Sequence, residues 1–342
     1  MIPESAHGIL QAEGLTKQFP VGGLLSRNKR VVHALTDVSM TLNAGETVGI
    51  VGESGCGKST LARCLLHLIE PTHGRVLING RDAGEMLRSD PLAFRRAVQI
   101  VFQDPYASLN PRRTIGQSVS DPLRIFGMKA QVERQTRTAE LLRMVGLLEE
   151  FAARYPHDLS GGQRQRVAIV RALAPSPRVI VCDEAVSSLD VSIQARITNL
   201  LRDIQAQTKI GYIFISHNLH LVQRIADRII VIYLGQIVES GAGEELRARL
   251  LHPYSQALFA AAPVLRRDGV ARIDVVTPPL QDEVPSPIDP PSGCRFHPRC
   301  GYRQAICSEI APNLEMVGDR CVRCHFAHQI AAASGDTTSI QE

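Results

Sequence analysis

A glycine-rich segment with a lysine and a hydroxyl residue, 52-GESGCGKST-60, has the spacing G-x-x-x-x-G-K-[S/T]. Glycines let a backbone wrap closely around an anion, and successive N–H groups and a helix N-terminus then supply partial positive charge. In this pattern Lys58 reaches the β- and γ-phosphates of a nucleotide, and the Ser59 hydroxyl ligates Mg²⁺. The residues expected to contact the nucleotide phosphates are Gly52, Ser54, Gly55, Cys56, Gly57, Lys58, Ser59 and Thr60.

Two adjacent carboxylates follow a second apolar run, in 179-VIVCDEAVSSLD-190. Ligands bind at the carboxyl ends of the strands in a parallel sheet, so these acids should lie close to the phosphate loop. Asp183 suits a Mg²⁺ site reached through water, because Mg²⁺ usually keeps several of its waters. Glu184 could polarise an attacking water as a general base.

A second glycine pair opens a helix in 159-LSGGQRQR-166, where Ser160 is expected to be the N-cap. The N-terminus of this helix could bind another anion, although the loop at 52–60 already accounts for one nucleotide. Two phosphate cradles in one chain are explained if the second serves the nucleotide of a neighbouring subunit.

The cysteines are concentrated near the C-terminus, with five of the eight in 294-CRFHPRCGYRQAIC-307 and 321-CVRCH-325. Only Cys321 and Cys324 form the tight pair typical of structural zinc, and no C-x2-C-x2-C run of a ferredoxin is present. The spacing indicates four thiolates and a soft metal, and it leaves Zn²⁺ and an iron–sulfur cluster as alternatives.

The remaining cysteines have two interpretations. Cys64 and Cys182 are expected to be buried apolar residues. Cys56 lies inside the phosphate loop, near amide dipoles that should lower the pKa of its thiol. One hypothesis is a thiol-sensitive site, and the alternative is a small residue that simply fits the loop.

The composition excludes several classes of function. A net charge of +4 without a dense Lys/Arg run, together with no Trp, argues against nucleic-acid binding. No run of about eighteen apolar residues could span a membrane, and the N-terminus lacks the pattern of a signal peptide. We therefore expect a cytosolic, reducing compartment, where structural disulfides are rare.

Strand-like segments alternate with helix-like ones, which predicts an α/β fold with a largely parallel sheet. The strands are expected between Leu10 and about Ile78, including a buried strand from Thr47 to Val51, and at 179–182, 212–216 and 229–235. A helix is expected at 58–69. Residues from about 94 to 177 should be mostly helical, with breaks at Pro105, Pro111, Pro122 and Pro156. The stretch 277–293, rich in proline and acids, should be extended loop.

These motifs together resemble those of the ATP-binding cassette (ABC) ATPases, in the same order along the chain. Residues 52–60 resemble the Walker A motif, 159–163 the signature motif and 179–184 the Walker B motif. Gln103 resembles the Q-loop glutamine that couples the nucleotide to the membrane partner, and His217 the switch histidine at the γ-phosphate. Ser187 to Asp190 resemble the D-loop, and Phe19 the aromatic that stacks on adenine. Ala185 departs from the family, which usually has proline there.

The resemblance implies a P-loop NTPase fold with a RecA-like core, an antiparallel β subdomain and a helical subdomain. The expected division is 1–93 for the β subdomain and the first part of the core, 94–177 for the helical subdomain, 178–245 for the rest of the core, and 246–342 for a small metal-bound extension. Two such chains would form a head-to-tail sandwich that buries each ATP. Catalysis would rest on Glu184, His217 and Lys58, and Mg²⁺ on Ser59, Gln103 and Asp183. The opposite subunit would supply Ser160, Gly161, Gly162, Gln163 and Asp190.

The sequence after the cassette resembles the C-terminal extension of dipeptide and oligopeptide permease ATPases, closest to the F-type subunit. The resemblance covers residues 9 to about 328 and includes 251-LHPYSQALFAAAP-263. It implies an ATPase on the cytoplasmic face of a bacterial inner membrane, with a homologous D-type ATPase, two transmembrane permeases, an extracytoplasmic peptide-binding protein and no nucleic-acid partner. The alternatives are an importer of a nickel chelate or haem, or a cytosolic ATPase unconnected with transport.

The same resemblance implies a [4Fe-4S] cluster in the extension, with a structural role. Its ligands would be Cys294, Cys300, Cys307 and Cys324, and Cys321 is the alternative fourth ligand. Zn²⁺ remains the second candidate for this site.

Overall fold

The computed structural model describes residues 8–21, 30–187, 189–261 and 283–333. Within these ranges, no helix has both the length and the apolar character needed to cross a bilayer. The predicted loop at 277–293 lies partly outside them, and its part from 283 onward contains neither helix nor strand.

The strands form two sheets. In chain order they are β1 Leu10–Val21, β2 Arg30–Leu42, β3 Thr47–Val51, β4 His73–Ile78, β5 Arg81–Asp82, β6 Val98–Val101, β7 Val179–Asp183, β8 Gly211–Ile215, β9 Arg228–Tyr233, β10 Gln236–Ala242, β11 Glu315–Val317 and β12 Arg320–Val322. The larger sheet has the order β11-β12-β10-β9-β3-β8-β7-β6, and the smaller has the order β2-β1-β4-β5.

The larger sheet is parallel from β6 through β7, β8 and β3 to β9. Its other edge is antiparallel, since β10 pairs with β9 and then with β12. The smaller sheet is antiparallel throughout. The predicted α/β fold with a largely parallel sheet is therefore confirmed.

The helices connect these strands and cover the sheet. They are α1 Lys58–Leu65, α2 Ala83–Ser89, α3 Pro91–Ala97, α4 Pro105–Ser108, α5 Ile115–Ile125, α6 Gln131–Met144, α7 Gly161–Leu173, α8 Val191–Thr208, α9 Leu219–Ile225, α10 Gly243–Ala248, α11 Pro253–Ala260, α12 Ala305–Glu309 and α13 Ala327–Ala333. Short 3₁₀ turns occur at Glu149–Ala153, Pro156–Asp158 and His297–Arg299.

The region predicted to be mostly helical, about 94 to 177, differs from the structure at two places. Pro122 lies inside α5 and does not break it. The helix persists because Thr114 and Gln117 form a capping box at its start, and Ile115, Val119 and Leu123 are buried on one face. The strand β6 was not predicted, and it adds a parallel edge to the larger sheet beside β7.

The hydrophobic core lies on both faces of the larger sheet and positions the site. Strands β3 and β8 are buried along their whole length, as is β7 up to its last residue. Since these strands are parallel neighbours, their carboxyl ends meet at one edge. The phosphate loop follows β3, the two carboxylates end β7, and the histidine follows β8.

The C-terminal extension is attached to the larger sheet through β12 and through a buried acid. Glu239 in β10 is fully buried and accepts the backbone N–H groups of Leu251 at 2.8 Å and His252 at 3.0 Å. The Nη1 atom of Arg320 in β12 lies 3.8 Å from its carboxylate. Burial raises the pKa of Glu239, whereas these donors favour its charged form.

Candidate nucleotide-binding and catalytic site

The phosphate loop joins β3 to α1 and depends on glycine at positions that a side chain could not occupy. Gly57 has a φ of 111°, and a Cβ built there would lie 2.5 Å from the carbonyl oxygen of Ala34. Gly52 has a φ of 155°, and its Cβ would lie 2.3 Å from the carbonyl oxygen of Ile232. The loop is therefore held against the neighbouring backbone, with its helix N-terminus directed into a cleft.

Lys58 is the buried cation of this loop. Its Nζ donates to the carbonyl oxygens of Gly52 at 2.7 Å and Glu53 at 2.8 Å. The side chain is 6% exposed, so the ammonium group is fixed over the loop rather than free in solvent. A fixed cation at this place suits a polyphosphate ligand.

The thiol of Cys56 does not have the lowered pKa predicted from the loop dipoles. Its side chain is almost fully buried, and burial raises the pKa despite the nearby Lys58 ammonium, whose Nζ is 3.7 Å from Sγ. Desolvation outweighs the positive charge here because the neutral thiol needs no solvation. Cys64 and Cys182 are fully buried, as predicted.

A cleft of about 270 Å³ opens beside the loop. Phe19 lies at its wall, 37% exposed, with the Lys17 ammonium 5.1 Å from the centre of its ring. The aromatic, the loop and Glu184 thus face one cleft, whose lining is Phe19, Val32, Ala34, Ser54, Gly55, Gly57, Lys58, Ser59, Thr60, Glu184 and Pro287.

Asp183 ends β7 beside the helix that follows the loop. The nearby Ser59 hydroxyl lowers the pKa of its carboxylate slightly, yet its buried Oδ1 atom has no hydrogen-bond partner in the structure. Burial, and then the neighbouring Glu184 charge, raise the pKa of Asp183. A buried carboxylate oxygen without a donor, next to a hydroxyl, fits the donor set of a hydrated Mg²⁺ ion.

Glu184 has an unusual backbone and two side-chain partners. Its φ of 49° is left-handed, a conformation that is strained for a residue with a side chain. Its Oε2 atom accepts a hydrogen bond from Nε2 of Gln103 at 2.8 Å and lies 3.5 Å from Nδ1 of His217. The three residues follow β7, β6 and β8, and the fold brings Gln103 and His217 into contact with Glu184, the one of the three that lines the cleft.

The glycine pair at 161–162 begins α7, as predicted, and Ser160 is its N-cap. The Gln163 N–H donates to the Ser160 hydroxyl at 3.4 Å, and the Ser160 N–H donates to the Gln163 side chain at 2.9 Å. A Cβ at Gly162 would lie 2.8 Å from the Ile193 side chain, so this glycine allows α7 to approach α8. Asp190 caps α8, and the N–H of Ile193 lowers its pKa.

Residues 160–163 and Asp190 do not join the residues described above at the cleft. The cleft lining includes none of them within the described part of the chain. Ser188, in the predicted D-loop, lies outside the described residues, and Ser187 hydrogen-bonds the Glu184 carbonyl at 2.7 Å.

Four of the five tail thiols lie together. Burial raises the pKa of Cys300 to about 12, and the nearby Cys324, Cys294 and Cys307 raise it further. The Cys294 N–H donates to the Cys307 carbonyl at 2.8 Å. By contrast, the Cys321 thiol contacts the Met316 sulfur at 3.1 Å.

The backbone N–H of Phe326 donates to the Cys324 thiol, with an N···S distance of 3.5 Å. The backbone N–H groups of Phe296 and Tyr302 lower the pKa of Cys294 and of Cys300, although burial outweighs them. Such donors stabilise thiolates, which are the form that binds a metal. No group of three or more His, Cys, Asp or Glu side chains in the described ranges is arranged to hold a metal ion, so the arrangement of the side chains does not support the predicted metal site.

Sequence reasoning missed the residues through which the extension contacts the phosphate loop. Arg299 forms a bidentate ion pair with Glu53, at 2.8 and 3.0 Å, although 246 residues separate them. Tyr254 accepts the Glu53 N–H at 2.9 Å, and Pro287 lines the cleft. No local pattern signals such distant partners.

Comparisons with known proteins agree with this geometry. The family model "ABC transporter" matches residues 35–187, and the model "Oligopeptide/dipeptide transporter, C-terminal region" matches residues 238–307. A Sinorhizobium fredii protein named a probable peptide ABC transporter ATP-binding protein is 51% identical, covering 95% of this chain and 92% of its own. The di/tripeptide transport ATP-binding protein DppF of Pseudomonas aeruginosa is 44% identical, covering 94% and 98%.

A solved structure shares the cassette. It is an ATP-binding cassette in a dimeric, post-hydrolysis state with ADP and Pi, with 31% identity and a TM-score of 0.60. It covers 68% of this chain and 98% of its own. The fold, the site geometry and the relatives agree: this chain belongs to the ABC transporter family, as one of its ATP-binding subunits.

Proposed function

We propose that this chain hydrolyses ATP to power the import of di- or oligopeptides through a binding-protein-dependent ABC transporter. The observation that carries the enzymatic part is the contact of Gln103 and His217 with Glu184, which itself lines the cleft beside the phosphate loop. The transport part is supported by the C-terminal region match and by relatives named for peptide transport.

In this proposal Lys58 binds the β- and γ-phosphates, and Phe19 stacks on the adenine. Ser59, Gln103 and Asp183 would hold Mg²⁺, which would supply positive charge that neutralises the phosphates. The Glu184 carboxylate takes a proton from the attacking water, and His217 contacts the γ-phosphate. The contacts that Gln103 and His217 make with Glu184 hold its carboxylate in one orientation, which favours in-line attack.

The N-terminus of α7 would complete the site of an opposing subunit. Ser160, Gly161, Gly162, Gln163 and Asp190 lie outside the cleft of their own chain, which supports a role in trans. The backbone N–H groups at this helix N-terminus and the α7 dipole would stabilise the γ-phosphate of the partner's ATP. The dimeric state of the similar solved cassette is consistent with this arrangement.

The assembly would lie on the cytoplasmic face of an inner membrane. We propose a heterodimer with a homologous D-type ATPase, docked on two permease subunits that receive peptide from an extracytoplasmic binding protein. Residues around 104–150 would hold the groove for the permeases. The division of the chain at 93, 177 and 245 is part of the same proposal.

The tail thiols would hold a [4Fe-4S] cluster through Cys294, Cys300, Cys307 and Cys324. The proximity of these thiols and their N–H donors fit a four-thiolate group, whereas Cys321 is directed at Met316. When bound, the cluster would connect the short segments of the extension that carry these cysteines and that bury little apolar surface against one another. Its role would be structural. Zn²⁺ is the alternative occupant of the same thiols.

The enzymatic proposal is tested with Glu184→Gln in the purified full chain. MgATP binding should persist because the amide keeps the shape and a hydrogen bond to Gln103. Phosphate release should fall by roughly 100-fold or more, since general base catalysis contributes about that much. The exposed Glu133→Gln is the matched control and should hydrolyse ATP like the wild type. Retained hydrolysis in Glu184→Gln would refute the base assignment.

A further inference from the structure

An arginine of the C-terminal extension forms an ion pair with the phosphate loop. Nη1 and Nη2 of Arg299 lie 2.8 and 3.0 Å from the two carboxylate oxygens of Glu53, the second residue of the loop. The Arg299 side chain is only 4% exposed, and the Glu53 side chain 23%. A bidentate, largely desolvated pair of this kind fixes both position and orientation, unlike an exposed surface ion pair.

Glu53 passes this constraint to the catalytic lysine. Its N–H donates to the Tyr254 hydroxyl at 2.9 Å, so the residue is fixed at both its backbone and its side chain. The carbonyl oxygen of Glu53 accepts a hydrogen bond from the Lys58 ammonium at 2.8 Å. A continuous chain of contacts therefore leads from Arg299 through Glu53 to the cation that faces the phosphates.

Two further contacts from the extension reach the same site. Arg295 donates to the Leu234 carbonyl and, at 3.0 Å, to the Thr36 hydroxyl. Gly235, which follows Leu234 in the chain, donates its N–H to the Cys56 carbonyl in the phosphate loop at 2.8 Å. Pro287 lines the cleft itself, and its carbonyl accepts the N–H of His33 at 2.8 Å.

We propose that Arg299 is a positioning residue for ATP binding. Through Glu53 it fixes the phosphate loop and Lys58, and the extension thereby contributes to the nucleotide site. This inference rests on the proposed ATP site and extends it to a segment outside the cassette motifs. The extension thereby becomes a determinant of nucleotide affinity, in addition to any role in docking.

The test uses the purified full chain and equilibrium binding of MgATP, with the KM for ATP in phosphate release as a second readout. Arg299→Met and Glu53→Gln should each weaken MgATP binding and raise KM by at least about fivefold, the low end of typical coupling between sites. The double variant should bind MgATP no more weakly than the weaker-binding single variant, because both substitutions disrupt the same ion pair. Arg299→Lys should recover part of the affinity through a single hydrogen bond.

Arg303→Met is the matched control, since Arg303 is an exposed arginine of the same extension whose side chain hydrogen-bonds the Pro298 carbonyl at 3.5 Å. It should bind MgATP like the wild type. If Arg299→Met fails to fold, Glu53→Gln and the wild type still decide the question, because glutamine removes the charge of the ion pair while it keeps the size and shape of the side chain. Wild-type affinity in Arg299→Met or in Glu53→Gln, or additive losses in the double variant, would overturn the inference. Failure of the wild type and Arg303→Met to bind MgATP would overturn the proposed ATP site as well.

Discussion

Asp183→Asn should have opposite effects on fold stability and on nucleotide binding. Asp183 ends a buried strand, its Oδ1 atom is buried without a hydrogen-bond partner, and the next residue is also a carboxylate. Asparagine has nearly the same shape and keeps an oxygen for the Ser59 hydroxyl. It removes a buried negative charge that the nucleotide-free protein does not fully compensate.

The magnitude follows from these contacts. A buried polar atom left without a partner costs about 1–3 kcal/mol, and more when it is charged. The positive charges of Arg63 and Lys58 offset part of this cost. We therefore expect Asp183→Asn to raise the free energy of unfolding of the nucleotide-free chain by about 1 kcal/mol.

The same change should weaken MgATP binding, because the carboxylate that would hold the hydrated Mg²⁺ loses its charge. A tenfold loss of MgATP affinity would reduce the increase in unfolding free energy that MgATP gives by about 1.4 kcal/mol, at a fixed, saturating MgATP concentration. Denaturant unfolding with and without MgATP measures both quantities in one assay. The exposed Asp319→Asn is the control and should change neither. A nucleotide-free Asp183→Asn chain less stable than wild type, or an unchanged MgATP increment, would refute the reasoning.

Two other predictions concern the extension and its junction with the sheet. After anaerobic purification, Cys324→Ser should lose iron and acid-labile sulfide while Cys321→Ser retains them; the reverse result, or zinc without sulfide in the wild type, would contradict the ligand assignment. Burial lowers the pKa of His252 to about 3, and its Nδ1 accepts the Tyr254 N–H at 3.0 Å. Below the ordinary pKa of histidine, the unfolded chain binds a proton at His252 that the folded chain does not bind, so the folded state loses stability as the pH falls. Between about pH 6 and about pH 4, the unfolding free energy of the wild type should therefore fall by about 1.4 kcal/mol per pH unit more than that of His252→Asn. Equal pH slopes in denaturant titrations would contradict this.

Local patterns were enough to predict the elements that hold the motifs. The strand Thr47–Val51 has the predicted bounds, because a short apolar run is followed directly by a glycine loop. The helix after it begins at Lys58 as predicted but ends at Leu65, four residues before the predicted end at 69. His67 has a φ of 48°, a left-handed conformation that ends a helix and that the apolar pattern did not reveal.

Non-local pairing explains what the sequence did not predict. The strand Val98–Val101 has four residues, too few for a clear alternation, and it is stabilised by parallel pairing with β7 some eighty residues later. The tail illustrates the same limit. Spacing left Cys321 and Cys324 as alternatives, whereas in the structure their side chains make different contacts.

The ion pair between Glu53 and Arg299 could not have been predicted from either residue. Glu53 lies at a variable position of the glycine-rich pattern, and Arg299 lies in a tail with several arginines. Only the packing of the extension against β9 and β10 brings them together. Catalytic motifs are short and local, while the residues that position them are distant in sequence.

The most direct test of the central claim is phosphate release from proteoliposomes that contain the assembled transporter with this chain. Peptide-loaded binding protein, added outside with MgATP inside, should accelerate phosphate release and drive peptide uptake. Both should be lost when the chain carries Glu184→Gln. Peptide uptake that persists with Glu184→Gln, or phosphate release that does not respond to peptide, would contradict the account.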